Sequence, residues 1–422
     1  MRKLLTVTLL SGLLTVLRMA SGFVIAKVVA VYTGPSGIAI LGQMQSLVAA
    51  LNGLSSNQIS QGVVRFTAEN ADNGLSACSE WWKAATTLVS YILLIIAIIV
   101  IGFSVYISEW LFNSSDYTWV VILATLALPL NSLNIFINAV LNGRQEYKKY
   151  FIVGAISTLS GLVIITLATI EFGINGAIAS AAVNNAVAGC FAYLLIKKNN
   201  WAKKNLWFGK PNIKNIVGIR GYFLMGIVGA LTGPTSLILV RKIIIENGSI
   251  TDAGNWQAVW KISEAYLSII TLALSTYYFP QLVKIVKRNE ILREAKQTAL
   301  FVIPIVTLFA LIIYLLRNII IIILFSYEFN EANKLFGIQL IGDILRVTSY
   351  IPASILMARG YISINIKLEI IFCSSLVLLC YIFVPIFGTQ GANIGYAINY
   401  AMYLIVTTII FFKIINKTER NT

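Results

Sequence analysis

Ten ionisable residues fall inside long apolar stretches: Arg18, Lys27, Arg241, Lys242, Lys261, Glu264, Arg317, Asp343, Arg346 and Glu369. A charge at the centre of a membrane-spanning helix costs roughly 2.5–3.5 kcal/mol on insertion scales. Such residues are therefore expected to face a protein interior or a wet cavity. Seven of the ten are cations. A cavity lined by one sign of charge between low-dielectric walls attracts the opposite sign, so this set suits an anion. Arginine can grip phosphate oxygens bidentately, and lysine acts as a point charge. Lys261 and Glu264 are three apart, as are Asp343 and Arg346, and each couple is placed to form an ion pair within its helix. Arg18 and Lys27 are nine apart and need a bend, for which Ser21-Gly22 is the expected place. Gly233-Pro234 is the equivalent candidate near Arg241.

The elements that must position these charges are membrane spans. Of 422 residues, 58% are hydrophobic and 12% charged, against about a quarter charged in soluble domains. Mean hydropathy is +0.82. At about 20 apolar residues per span, twelve spans are expected, at 8–31, 38–63, 84–108, 119–141, 151–170, 177–196, 219–245, 257–279, 299–325, 337–357, 366–386 and 392–412. The expected class is an all-α polytopic membrane protein. The net charge of +15 resides largely in short loops, an orientation signal rather than a nucleic-acid groove. Those loops alternate between basic and nearly cation-free, which places both termini in the cytoplasm. Arg2 and Lys3 before an apolar run resemble a signal peptide, but Arg18 and the run's length read as a first permanent span.

Histidine is absent, which excludes histidine-based catalysis and histidine metal sites. The four cysteines lack metal-ligand spacing, and neither metal nor organic cofactor is expected. Trp81, Trp82, Trp110, Trp119, Trp201 and Trp207 read as interfacial belts. Arg317 reads as structural, Asp252 as the N-cap of the eighth span, and Glu369 as a partner of Lys367.

The chain also repeats itself. Phe172-Gly173-Ile174-Asn175-Gly176-Ala177 recurs as Phe387-Gly388-Thr389-Gln390-Gly391-Ala392 at an offset of 215. Ala39 and Gln43 meet Ala253 and Gln257 at an offset of 214. The offset spans an even number of helices, so the halves share topology about an axis along the membrane normal. The expected division is a six-helix lobe at 1–196, a basic linker at 197–215, and a second lobe at 216–422. The repeat pairs Lys27 with Arg241 and ranks both above Arg18, whose counterpart is Thr232.

The stretches Ile25-Ala26-Lys27-Val28-Val29-Ala30 with Gly34-Pro35-Ser36-Gly37, Leu239-Val240-Arg241-Lys242, Trp256-Gln257 leading to Ile262-Ser263-Glu264-Ala265-Tyr266-Leu267, and Gly342-Asp343-Ile344-Leu345-Arg346-Val347 together resemble the Wzx-type flippases. These form the polysaccharide-transporter branch of the MOP superfamily and include the O-antigen and lipid III type. The resemblance covers essentially the whole chain; it departs at Met44-Gln45, where an additional basic residue is expected. It implies an undecaprenyl-pyrophosphate-linked oligosaccharide as substrate, moved to the periplasmic leaflet by alternating access of two lobes. It also implies coupling to H+ or Na+, an inner-membrane location, and the polymerase and chain-length proteins of polysaccharide assembly as partners besides membrane lipids. On this reading Lys27, Arg241, Lys242 and Arg18 bind the substrate, while Glu264, Lys261, Asp343 and Arg346 serve coupling or internal pairing. A multidrug exporter of the same superfamily is the competing reading, disfavoured by the cationic interior. A membrane enzyme would need a large polar loop, and a scaffold would not need buried charge.

Overall fold

A computed structural model describes residues 2–420, and all regular structure among them is helical. The helices are α1 (Arg2–Asn52), α2 (Gln58–Glu69), α3 (Leu75–Gly102), α4 (Ser104–Phe112), α5 (Thr118–Gly143), α6 (Tyr147–Ile196), α7 (Ile213–Asn247), α8 (Ile250–Ala273), α9 (Phe279–Lys284), α10 (Arg288–Leu324), α11 (Phe336–Ala358), α12 (Ile362–Phe387) and α13 (Thr389–Arg420). Among the described residues, ten helical stretches are long and apolar enough to cross a membrane. Two of these, 60 and 50 residues long, far exceed the need. At 1.5 Å per residue, about 50 residues reach roughly 75 Å against a hydrocarbon core of about 30 Å. Each is broken by a glycine in a non-helical conformation, Gly34 in α1 (φ 64°) and Gly173 in α6 (φ 58°). Counting both sides of each break is compatible with the twelve expected spans.

Glycine geometry explains the repeated motif. Gly173 and Gly388 share φ 58°, where a side chain would be strained. Three residues on, a Cβ at Gly176 would lie 1.8 Å from the Ala168 carbonyl oxygen, and one at Gly391 would lie 2.2 Å from that of Phe383. In both halves the chain therefore turns at the first glycine and returns against its own backbone at the second. The α5–α6 and α11–α12 corners repeat too. Gln145 (φ 57°) and Gly360 (φ 74°) occupy them. Glu146 N donates to Leu141 O at 2.9 Å, as Tyr361 N does to Leu356 O at 2.7 Å. Glu146 also accepts from Arg144 Nε (2.8 Å) and Lys149 Nζ (2.7 Å). Partial burial pushes its carboxyl up, but these two cations outweigh it and hold the group below its ordinary range.

The bend expected at Ser21-Gly22 lies instead at Gly34, because only there does α1 leave helical geometry. The helix α7 runs unbroken past Pro234. Asp252 is not the cap of α8. Ser249 is, its Oγ accepting from Asp252 N at 3.1 Å and donating to Asp252 Oδ2 at 2.6 Å.

The chain forms two compact units. One contains the residues up to Thr33 together with Ile40–Ile238, and the other contains Gly34–Ala39 together with Leu239–Thr422. The expected lobe at 216–422 thus yields its first residues to the other unit. The physical reason is close packing. A Cβ at Gly226 would strike the Gln58 side chain, and one at Gly53 would lie 2.6 Å from Ala230 Cβ. In the first unit one core gathers Trp82, Phe136 and Ile196, and a second gathers Met44, Leu111 and Leu128. The second unit is centred on Leu267, Tyr278, Val306, Ile355 and Ile415. Trp82 and Trp201 belong to the first unit's core rather than to an interfacial belt, being 0% and 3% exposed.

Candidate functional site

The second unit assembles most of the expected charges along α8. Arg241, on α7, is 1% exposed, and its Nη1 donates to Gln257 Oε1 at 2.6 Å. One turn further along α8 stands Lys261, close enough to feel the Arg241 charge. Glu264 follows on the same face. It accepts from Arg346 Nη1 of α11 at 2.6 Å. The Arg346 guanidinium sits 5.9 Å from the Trp260 ring and 5.7 Å from that of Tyr400, within cation–π range. This ion pair is accessible: the side chains of Arg346 and Glu264 are 30% and 47% exposed. A charged ligand can therefore reach either partner.

Asp343 differs in kind. It is wholly buried and takes four hydrogen bonds, from Ser263 Oγ (2.6 Å), Tyr266 Oη (2.7 Å), Tyr396 Oη (3.0 Å) and Gln339 Nε2 (3.2 Å). Hydroxyl and amide donors therefore cradle it, tying α8, α11 and α13 together. The expected pairs within helices, Lys261 with Glu264 and Asp343 with Arg346, do not form as such. Glu264 turns to Arg346 across α8 and α11, because a bond between helices consolidates packing that a bond within one helix cannot. Counting Arg241, Lys261 and Arg346 against Glu264 and Asp343, cations exceed acids here by one.

The remaining candidates lie elsewhere. Lys242 sits 3.8 Å from Glu246 one turn along α7. Lys27 is half-buried on α1, beside the buried Ala26. Arg18, in the middle of the first expected span, is exposed. It lies across Gly154 of α6, where a Cβ would come within 3.5 Å of its Nη2. The absence of a side chain at Gly154 makes room for Leu14, whose Cδ2 would lie 2.7 Å from a Cβ there. Arg317 donates to the Tyr314 carbonyl at 2.7 Å and stacks 4.2 Å from that ring, a contact local to α10.

The first unit has an uncharged counterpart of this site. Asn131, at the repeat position of Arg346, donates to Asn52 at 3.2 Å, and Ser56 bonds Ser132 at 2.7 Å. Gln43, the repeat partner of Gln257, donates to the Ile238 carbonyl at 3.4 Å. Sequence reasoning missed Ser263, Tyr266, Tyr396, Tyr400 and Trp260 as site residues. A signal for some of them existed: Tyr396, Tyr400 and Tyr403 follow one helix face, and their rings meet in sequence at 4.9 and 6.2 Å.

The profile of a family described as polysaccharide biosynthesis protein matches residues 4–286. The chain is 26% identical over 393 residues to the lipid III flippases of Escherichia coli (strain K12) and Shigella flexneri, covering 92% of this chain and 93% of each relative. Its fold resembles a multidrug resistance MATE family transporter of the MOP superfamily in the inward-facing conformation, with TM-score 0.77, 13% identity and 96% of both chains covered. It also resembles the lipid II flippase MurJ in an inward closed conformation, with TM-score 0.72, 13% identity, 98% of this chain and 90% of that one. The fold is therefore that of the MOP transporters, all-α and polytopic.

Proposed function

Because the chain belongs to the polysaccharide biosynthesis protein family, we propose that it is a flippase carrying an undecaprenyl-pyrophosphate-linked oligosaccharide from the cytoplasmic to the periplasmic leaflet of the inner membrane. The observation that carries this reading is the cationic excess around α8: Arg241 buried on Gln257, with Lys261 one turn on and Arg346 beyond. A lipid-linked pyrophosphate is an anion that must cross hydrocarbon. These cations, and separately Lys27 along the first unit's own path, would each replace part of its hydration while the prenyl tail stays in lipid. The name of the lipid III flippases supports the same substrate class. An exporter of organic cations would call for the opposite sign of charge.

Transport of this kind needs a reset, and we assign the reset to the pair of Glu264 and Arg346. Phosphate oxygens compete with Glu264 for Arg346. After release, the ionised carboxylate reclaims the guanidinium, and H+ or Na+ at Glu264 frees it again. Asp343, held by hydroxyls and an amide, is a lock between helices.

The test is complementation of a flippase-deficient bacterium, scored for surface polysaccharide. Lys27→Ala and Arg241→Ala are expected to abolish it while protein still reaches the membrane, with partial rescue by Arg241→Lys. Normal polysaccharide from both alanine variants would remove the basis for a cationic substrate path.

A further inference from the structure

The first unit contains a cavity that the transport reading does not use. It measures about 420 Å³ and lies among α3, the second half of α5, the end of α6 and the linker that follows. That is within the range of small-ligand sites. Ser90 and Leu93 of α3, Pro129 and Leu133 of α5, and Trp201 and Lys204 of the linker stand in its wall.

The linker is a built part of this wall. The Trp207 ring stacks on Trp82 at 5.0 Å and lies 6.1 Å from Phe136. Ser79 Oγ donates to the Leu206 carbonyl at 2.8 Å, and Thr86 Oγ1 to that of Trp207 at 2.5 Å. Trp207 Nε1 donates to the Trp201 carbonyl at 3.0 Å. The cavity is thus closed on one side by a strap bonded to α3.

Three features describe what the cavity would take. Its interior is apolar, apart from hydroxyls such as Ser90. Its rim is basic: residues 197–215 contain six lysines and no acid, Lys204 stands in the wall, and Lys83 approaches Gly209 closely enough that a Cβ there would lie 3.5 Å from its Cε. Finally, Trp201 Nε1 in the same wall is buried with no hydrogen-bond partner among the described residues. A buried donor without an acceptor calls for an occupant that supplies one. An amphiphile with an apolar tail, an ester or phosphate oxygen and a negative head meets all three conditions. Basic residues at the membrane surface attract anionic lipid heads.

We propose that this cavity holds one acyl chain of an anionic glycerophospholipid, its phosphate resting on Lys204 and the neighbouring linker lysines. The volume suits one acyl chain rather than a polyprenyl tail several times longer. The bound lipid would fasten the linker to α3 and α5, making the strap sensitive to the charge of the surrounding leaflet. This inference is independent of the transported substrate, and its test measures binding without transport.

Delipidated full-length protein in detergent is titrated with dioleoylphosphatidylglycerol or dioleoylphosphatidylethanolamine, followed by thermal unfolding and native mass spectrometry. The expected result is saturable stabilisation and a single retained phosphatidylglycerol, with phosphatidylethanolamine requiring at least tenfold more. Lys204→Glu and the cavity-filling Leu133→Trp should each raise the half-saturating concentration at least tenfold while leaving the lipid-free unfolding temperature unchanged. Ser90→Leu serves where Leu133→Trp does not fold. Equal response to both lipids, wild-type binding by the folded variants, or displacement of phosphatidylglycerol by undecaprenyl phosphate would each overturn the proposal.

Discussion

At the scale of single residues, the site divides charges that look alike in the sequence. Arg241 is a buried cation whose guanidinium is satisfied in part by a side-chain amide. A hydrogen bond to a charged group contributes about 1.5–3 kcal/mol. Gln257→Leu is accordingly expected to lower stability by about 1–3 kcal/mol, read as a lower midpoint of thermal unfolding in detergent. An unchanged midpoint would mean that other neighbours suffice for Arg241. Glu264 and Asp343, both acids beside Arg346 in the fold, have different surroundings. Glu264 has an accessible cation as its partner, and Asp343 has a shell of hydroxyls. Glu264→Gln should retain membrane insertion yet make transport insensitive to collapse of the proton and sodium gradients, assayed in membrane vesicles. Retained gradient dependence would reduce the Glu264–Arg346 pair to a structural contact.

At the scale of elements, the recurring device is a helix broken by glycine and folded back on itself. Gly173 and Gly388 provide the backbone conformation, and Gly176 and Gly391 provide the close approach. The two roles carry different costs. Alanine at Gly388 has to adopt φ 58° with ψ −148°, a region nearly confined to glycine, at a cost of roughly 1–3 kcal/mol. Alanine at Gly391 puts a methyl group 2.2 Å from the Phe383 carbonyl oxygen, which no side-chain adjustment relieves. Gly391→Ala is therefore expected to be the more damaging, with much reduced folded protein in the membrane, while Gly388→Ala loses a few degrees of thermal stability. Fluorescence-detected size exclusion of both variants measures the contrast, and the reverse order would refute the assignment of roles. The same motif was readable as a repeat, but not as a pair of distinct constraints. Which glycine turns and which one yields space depends on the path of the returning helix.

For the molecule as a whole, the distribution of cations predicts topology. The linker between the halves and residues 284–296 are rich in lysine and arginine, whereas residues 32–37 and 388–391 contain neither. Short basic loops remain on the cytoplasmic side. A fluorescent protein fused after residue 422 is expected to fluoresce, and an alkaline phosphatase fused there to be inactive. Active phosphatase would reverse the orientation and with it the direction assigned to transport. The near-even division into two repeats does not carry over to the polar centres. The corresponding polar centre of the first unit is made of asparagine and serine, while that of the second carries the charges.

What the sequence by itself determined was the material and its order. Apolar runs longer than a bilayer core require helices, the charge of the loops orders them, and a constant offset reveals two halves. All of these are properties of segments, set by local composition and spacing. The pairing of side chains was a matter for the tertiary structure alone. Arg346 lies three residues from Asp343 but bonds to Glu264, 82 positions away. Arg18 looked central but lies exposed across Gly154. The Trp201–Trp207 linker looked like an interfacial belt but closes a cavity. In each case the partner comes from another helix. A polar group shut away from water is satisfied by whichever donor or acceptor the packing brings to it, and distance along the chain does not record that choice.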